Sequence, residues 1–328
     1  DELTPNASSA ALQATIDRAR EALQNDTAAL TLAGTDRTGD HLVLTLEVEN
    51  LTGHKLPTGI PARRMWLYVR VLDSDDQVVF SSGAWDTSGR ILAADGVPLA
   101  SEAVGGPVEP HRDRITEASA VQIYEDVMAD SAGQPTHRLM RAAAHKKDNR
   151  LLPLGWRSDH EDAERTAPHG AAATDANFAG GGDQVRYEVL APTSRGPYRL
   201  EAKLLYQAIG QRFAAELLEY DTPEIRAFER FFDASARKPE ELSSLSTALP
   251  RAPRWAALRR GHQRLLDECG SLDPLKIAPS FLDRGRNRVL QGIPTEASRC
   301  CDNGRSCATV VARPSSMLRR SRSASGAC

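Results

Sequence analysis

Histidines are the residues of this chain best suited to bind a metal, and one of them lies in a loop of unusual composition. His54 belongs to residues 50–71, NLTGHKLPTGIPARRMWLYVRV. Pro57 and Pro61 hold the residues before them out of the helical region, and the glycines permit backbone angles that side chains disfavour. This composition predicts a stiff, non-helical loop that presents the His54 imidazole in a fixed direction. The alternative is a structural crossover in which His54 only hydrogen-bonds the backbone.

Apolar residues alternate with polar ones on both sides of this loop, which predicts that the loop joins two β-strands. Further short strands are expected along the chain, each bounded by turn residues. The expected strands are residues 28–33, 41–49, 65–72, 78–82, 118–128, 184–190 and 198–206. Residues 88–108 read as a long excursion, which is usually functional or mobile.

Two segments have helical signals. Residues 7–25 carry apolar positions at helical spacing, and Thr222 with Pro223 forms a cap and first turn for a helix that reaches Phe232. The sequence therefore predicts a mainly β fold: an antiparallel β-sandwich with an N-terminal helix, a short closing helix and a poorly structured C-terminal tail. The predicted segments are the amphipathic helix (1–27), the sandwich (28–233) and the tail (234–328).

The C-terminal tail differs from the body in charge and in cysteine content. Residues 251–328 carry 15 Lys and Arg and 6 Asp and Glu. The whole chain has 41 basic and 44 acidic residues, so the body keeps 26 basic and 38 acidic ones. All five cysteines lie in this tail, and their odd number and one adjacent pair make a regular disulfide framework unexpected. The composition favours a disordered basic segment. An arginine-rich RNA-binding arm and a shift of reading frame near Pro250 are the alternatives. Nucleic acid is not the expected partner, because the tail has few aromatic residues for base stacking.

Several strong signatures are absent from the sequence. No run of about eighteen apolar residues could span a membrane, and the first residues, DELTPNASSA, are not a signal peptide. The chain has no phosphate-binding Gly-rich loop, no serine-hydrolase elbow, no His-Glu-x-x-His and no Cys-x-x-Cys. Without Cys-x-x-Cys-His it cannot attach a c-type haem by that motif.

The remaining body histidines do not form a recognisable metal motif. The loop histidines besides His54 are His111, His137, His145, His160 and His169. No two of them have ligand spacing on one strand or helix, so the sequence does not predict a self-contained metal centre. A single imidazole could still complete the coordination of an iron that another segment carries. In the segment KKDNRLLPLGW, Asp148 and Arg150 are predicted to pair across a turn.

The stretch from Asn50 to Leu67, with TGHKLPTG, PARR and WL, resembles the C-terminal β domain of multihaem c-type cytochromes of the cytochrome c554-like family. In that family a Gly-His-x-x-Pro-Thr-Gly loop opens the non-haem domain, and its positions correspond to Gly53, His54, Pro57, Thr58 and Gly59. Further blocks follow in the same order over roughly residues 30–233: VVFSSG, EPHRDRI, VQIYEDVM, KDNRLLPLGW, GGDQVRYEV and LLYQ.

The resemblance implies a role in electron transfer. The haem-attaching motifs of that family lie upstream of the β domain, so the partner would be a haem-bearing N-terminal domain or another cytochrome chain. The implied cofactor is haem c, contacted rather than covalently attached, with His54 as a candidate axial ligand and His111 as the next candidate. A periplasmic or extracellular location is implied as well.

Two other classes of function stay open. A ligand-binding or adhesion β-sandwich would need an exposed aromatic platform, for which Trp66, Trp85 and Trp156 are available. A hydrolase or oxidase would need a nucleophile or a complete metal shell, and the sequence indicates neither.

Overall fold

The alternating strands form two β-sheets in a computed structural model that describes residues 8–250. All of these residues belong to one unit of the chain, Asp1–Ala252. The helices and strands are α1 (Ser9–Asn25), β1 (Ala28–Thr38), β2 (His41–Asn50), β3 (Arg64–Leu72), β4 (Val78–Ser82), β5 (Arg114–Ile115), β6 (Ile123–Ala129), β7 (Pro135–Thr136), β8 (Ala144–Asp148), α2 (Ala163–Thr166), β9 (Gly182–Leu190), β10 (Arg199–Gln207), α3 (Gln211–Leu217), α4 (Pro223–Ala234) and β11 (Glu240–Ala248).

The first sheet has the strand order β1-β2-β9-β5 and the second has β11-β10-β3-β6-β7. In the second sheet, β4 also pairs with β3, and β8 also pairs with β6. Every pairing of strands is antiparallel except that of β5 with β9. The predicted antiparallel β-sandwich is therefore confirmed.

The core lies between the two sheets and follows the period of two that the sequence shows. From the first sheet it takes Leu44 and Leu46 of β2 and Val185 of β9; from the second it takes Leu67 of β3 and Leu204 of β10. Burying side chains of this size stabilises the fold by about 1.5–3 kcal/mol each relative to leaving them exposed. The sandwich thus provides the rigid support from which the loops project.

Strand β3 is buried on both faces. Its outward-facing Trp66 packs with Ile91, Leu99, Val121 and Ile123 in a second apolar cluster. The predicted excursion at residues 88–108 supplies two of these side chains, so this segment covers the outer face of the sheet.

The two predicted helices are present. Ser8 caps α1, because its Oγ accepts a hydrogen bond from the Ala11 N–H at 3.2 Å, and Thr222 caps α4 in the same way. Among the described residues no helix is both long and apolar enough to cross a membrane.

The second sheet continues beyond the boundary predicted at residue 233. Strand β11 pairs with β10 and buries Leu242, so residues 240–248 belong to the sandwich rather than to the tail. This strand is rich in serine and contributes few apolar side chains, which explains why its periodicity was too weak to predict a strand. Residues 251–328 of the predicted tail, with all five cysteines, lie outside the described residues.

Candidate functional site

His54 lies in the loop between β2 and β3, residues 51–63, which has no regular secondary structure. The loop contains a cis peptide bond between Leu56 and Pro57, and Gly59 has a positive φ of 86°. Leu56 forms an isolated bridge with Leu151, with backbone hydrogen bonds of 3.0 and 2.8 Å. The predicted non-helical loop is confirmed, and its base is fixed to the segment after β8.

Asn50, the last residue of β2, ties this loop together with its side chain. Its Nδ2 donates to the carbonyls of His54 at 2.8 Å, Leu152 at 3.1 Å and Leu151 at 3.3 Å. Its Oδ1 accepts from both the backbone N–H and the hydroxyl of Thr52. Asn50 is only 1% exposed, so these bonds are shielded from water. The backbone of His54 is therefore held in place from within the protein.

The His54 ring itself is exposed, and its two nitrogens are in different environments. Nδ1 lies 2.9 Å from the carbonyl oxygen of Lys55 and 3.3 Å from the Thr52 hydroxyl. A carbonyl can only accept, so this contact places the ring proton on Nδ1. Nε2 then carries the free lone pair and has no hydrogen-bond partner among the described residues. In this tautomer Nε2 is the nitrogen that can bind a metal.

Lys55 anchors the other side of the loop. Its Nζ contacts Asp148 Oδ2 at 2.6 Å and the Ala167 carbonyl at 3.2 Å. Burial lowers the pKa of Lys55, although Asp148 opposes this. Burial alone would raise the pKa of Asp148, but Arg150 and Lys55 outweigh it, so the pKa of Asp148 is lowered. The predicted pair of Asp148 and Arg150 is confirmed, at 2.7 Å.

Three large apolar side chains are exposed on and next to this loop. Leu51 and Ile60 are 49% exposed, and Leu154 is 76% exposed. Leu51 and Leu154 line an open groove of about 630 Å³ together with residues 179–184. Leu51 and Leu154 therefore share one exposed surface, and contiguous exposed apolar side chains are typical of a surface that another molecule covers.

His111, the second candidate ligand, is buried and has no free ring nitrogen. The Gln122 and Asn149 amides donate to its Nδ1 at 2.8 and 3.1 Å. Their orientation is set by the backbone, because Gln122 Oε1 accepts from the Arg112 N–H and Asn149 Oδ1 from the Glu125 N–H. The proton of His111 must therefore lie on Nε2, which donates to Asp175 at 3.0 Å.

This network also argues against a metal at the buried cluster of His111, Asp175 and Asp183, whose ligand atoms lie within 4.8 Å of one another. A metal on Nε2 would move the ring proton to Nδ1, where two amide N–H groups already point. The residues do not fit a metal ion. The role predicted for His111 stays a prediction.

Asp183 is the least satisfied group of this network. Its Oδ2 accepts from Tyr124 at 2.8 Å and from Gln122 at 3.3 Å, but its Oδ1 has no partner among the described residues. Burial raises the pKa of the Asp183 carboxyl to about 6, although His111 and the hydrogen bond from Tyr124 oppose this rise. Burial also raises the pKa of Tyr187, whose hydroxyl has no partner either. Nothing in the sequence marks Asp183, whose neighbours are glycine and glutamine.

The other histidines and the tryptophans have separate environments. His137 Nδ1 lies 2.9 Å from Glu216 Oε1, and His160 accepts from the Asp162 N–H. His145 and His169, by contrast, are adjacent, which sequence spacing did not predict.

Of the described tryptophans, Trp66 is buried, and neither Trp85 nor Trp156 is fully exposed. They do not form the exposed platform that an adhesion module would need.

No family model and no curated protein matches this chain. Among solved structures, the penta-haem cytochrome c552 from Thermochromatium tepidum is similar to it, with a TM-score of 0.40 and 17% sequence identity. The match covers 70% of this chain and 41% of that cytochrome, so the chain spans less than half the length of the protein that it matches.

Proposed function

We propose that this chain is the non-haem domain of a multihaem c-type cytochrome, and that it serves electron transfer by packing against a haem that another segment or chain carries. His54 supplies an axial ligand to that haem. The observation that carries the proposal is the His54 ring, which is exposed on an internally anchored loop with its proton held on Nδ1 by the Lys55 carbonyl. The sequence resemblance of the Gly53–Gly59 loop supports the same assignment.

The chemistry of His54 and its neighbours fits the role of an axial haem ligand. An imidazole ligates haem iron through one unprotonated nitrogen, and here that nitrogen is Nε2. Because Asn50 and Lys55 already hold the loop, little conformational entropy remains to be lost when the iron binds. A bound haem would supply one-electron transfer.

The apolar side chains beside the loop have a separate role in this proposal. Leu51, Ile60 and Leu154 would cover the haem edge and exclude water. Lower polarity around a haem is one of the ways in which a protein sets its reduction potential. A domain without its own iron can therefore influence redox chemistry.

A haem peptide tests this role. The probe is a c-type haem peptide that has its own proximal histidine and an open sixth position. Adding the full chain should convert its high-spin absorption spectrum to a low-spin one, and His54→Ala should abolish the change. His41→Ala is the matched control, because His41 is an exposed histidine at the opposite end of β2. A low-spin spectrum that persists in His54→Ala would refute the ligand role.

The hydrolase alternative gains no support from the buried histidine. His111 and Asp175 form a histidine–carboxylate pair, but the remaining ring nitrogen faces two amides rather than the hydroxyl or thiol of a nucleophile.

The groove beside Leu51 keeps a ligand-binding module as the second candidate, since its volume lies within the range of small-molecule sites. In that case adding the chain would leave the high-spin spectrum of the haem peptide unchanged.

A further inference from the structure

A β-bulge in β8 brings together side chains whose spacing in the sequence would separate them. Asp126 of β6 pairs with Asp148, and Met128 pairs with His145, with one extra residue on β8 between these pairs. Residues two apart on β6 share a face of the sheet, so their partners Asp148 and His145 share it too. Without the bulge, residues 145 and 148 would point to opposite faces.

His169 joins this group from a different part of the chain. Its backbone N–H and C=O pair with Asp148 at 2.9 and 3.1 Å. Its ring stacks on that of His145, with centroids 4.9 Å apart and planes inclined by 21°. We call Asp126, His145, Asp148 and His169 the bulge cluster.

The two rings of the bulge cluster are differently held. His145 Nδ1 lies 2.8 Å from Asp126 Oδ1. An ionised carboxylate can only accept a hydrogen bond, so the ring proton of His145 lies on Nδ1 and Nε2 keeps its lone pair. The His169 ring makes no hydrogen bond with the residues that the structure describes.

The carboxylates of the cluster are already occupied by cations. Asp148 contacts Arg150 through both oxygens and Lys55 through Oδ2, and Asp126 Oδ2 lies 3.4 Å from Arg150. An ion that prefers oxygen ligands, such as Ca²⁺ or Mg²⁺, would have to displace these side chains. The groups that remain free are imidazole nitrogens, which suit Cu²⁺, Ni²⁺ and Zn²⁺.

We propose that His145 and His169 form a transition-metal site in which both imidazoles bind one ion and Asp126 positions His145. A metal binds an imidazole in the plane of the ring, so one ring must turn out of the stack. His169 can turn without losing a hydrogen bond to any described residue, whereas Asp126 fixes His145. A carboxylate that orients a histidine ligand in this way is a common feature of metal sites. This site uses residues that the proposed haem contact does not use.

Copper titration of the full chain tests the site. The thiols are first alkylated and metals removed with a chelator, so that the cysteines do not compete. Cu²⁺ should bind with one equivalent that shows nitrogen superhyperfine splitting in its electron paramagnetic resonance spectrum. His145→Ala and His169→Ala should each weaken that binding at least about tenfold and change the spectrum, because each removes a ligand.

Two further variants separate the roles of the residues. Asp126→Asn keeps both imidazoles, and we expect it to weaken binding by about 10–100-fold through loss of ring orientation. His160→Ala is the control, since His160 is an exposed histidine of the same region outside the cluster. If an alanine variant melts at a markedly lower temperature, His145→Gln and His169→Gln replace it with the same expected loss. Copper binding and a spectrum that stay unchanged in the His145 or the His169 variants would overturn the proposal.

Discussion

The side-chain amide of Asn50 donates a 2.8 Å hydrogen bond to the backbone carbonyl of His54, across a loop that has no regular secondary structure. The same amide binds the carbonyls of Leu151 and Leu152 in the segment after β8. One buried polar side chain therefore replaces the backbone pairing that a sheet would otherwise provide, and it fixes the position from which His54 projects.

Asn50→Ala should destabilise the protein by about 2–3 kcal/mol, because it removes the buried hydrogen bonds that this side chain makes with three carbonyls and with Thr52. Urea unfolding measures this loss, and hydrogen exchange should show faster opening of the loop at residues 51–56. Thr52→Val removes the hydroxyl that contacts Asn50 Oδ1 and His54 but keeps the backbone bond to Asn50, and should cost about 1 kcal/mol. If Asn50→Ala unfolds at the same urea concentration as the unaltered chain, the anchoring role is wrong.

Asp183→Asn should stabilise the protein at neutral pH. The pKa of Asp183 is about 6 in the fold against 3.8 for an ordinary Asp, so its contribution to stability is fully present below pH 3.8 and is lost as the pH rises through 6. The difference between these two pKa values corresponds to about 3 kcal/mol in the free energy of unfolding. Urea unfolding of both proteins at pH 4 and pH 7.5 should give nearly equal stabilities at pH 4 and a more stable variant at pH 7.5. If the difference in stability between the two proteins is the same at pH 4 and at pH 7.5, the raised pKa of Asp183 is wrong.

Asp148→Asn should have the opposite pH dependence. Arg150 and Lys55 lower the pKa of Asp148, so its contribution is present above the ordinary Asp pKa and is lost as the pH falls through the lowered value. The variant removes the carboxylate that pairs with both Lys55 and Arg150 and leaves only Asp126, 3.4 Å from Arg150, which should cost about 3 kcal/mol at pH 7. Thermal unfolding should show this loss shrinking below pH 4. A variant as stable as the original chain at pH 7 would disprove the role of this ion pair.

Gly83→Ala should disrupt the junction after β4. A methyl group there would lie 2.2 Å from the Leu67 carbonyl oxygen, and the φ of 81° is unfavourable for alanine. We expect a loss of about 3 kcal/mol or more, measured by chemical unfolding. Gly96→Ala is a close control: its φ is 79°, but nothing lies within 4 Å of the added carbon, so it should cost only about 1 kcal/mol. Equal losses in the two variants would show that the contact with Leu67 is unimportant.

The strands were the most predictable part of the molecule. The alternation of apolar residues in β2, β3 and β9 depends on local sequence, and the structure buries the same residues. The loop that presents His54 was predictable for the same reason, because proline and glycine act on their own backbone and on the adjacent residues.

The buried polar networks were not predictable in this way. His111 lies between Pro110 and Arg112, which suggested an exposed loop, yet it is buried by contacts with Asn149 and Asp175, 38 and 64 residues further along the chain. His145 and His169 meet because of a β-bulge and an isolated bridge. Such irregularities have no periodic signal.

Strand β11 has a practical consequence for the length of any shortened version of this protein. Ending the chain at Ala234 would remove β11, the partner of β10 on that side among the described strands, and leave the N–H and C=O groups of β10 open to pairing with another molecule. The outer strand itself consists largely of glutamate, serine and threonine, which makes it a poor template for association. Truncation before Glu240 should therefore yield a protein that aggregates. A shortened version should keep Leu249 as well, because its N–H donates a backbone bond to the Tyr198 carbonyl.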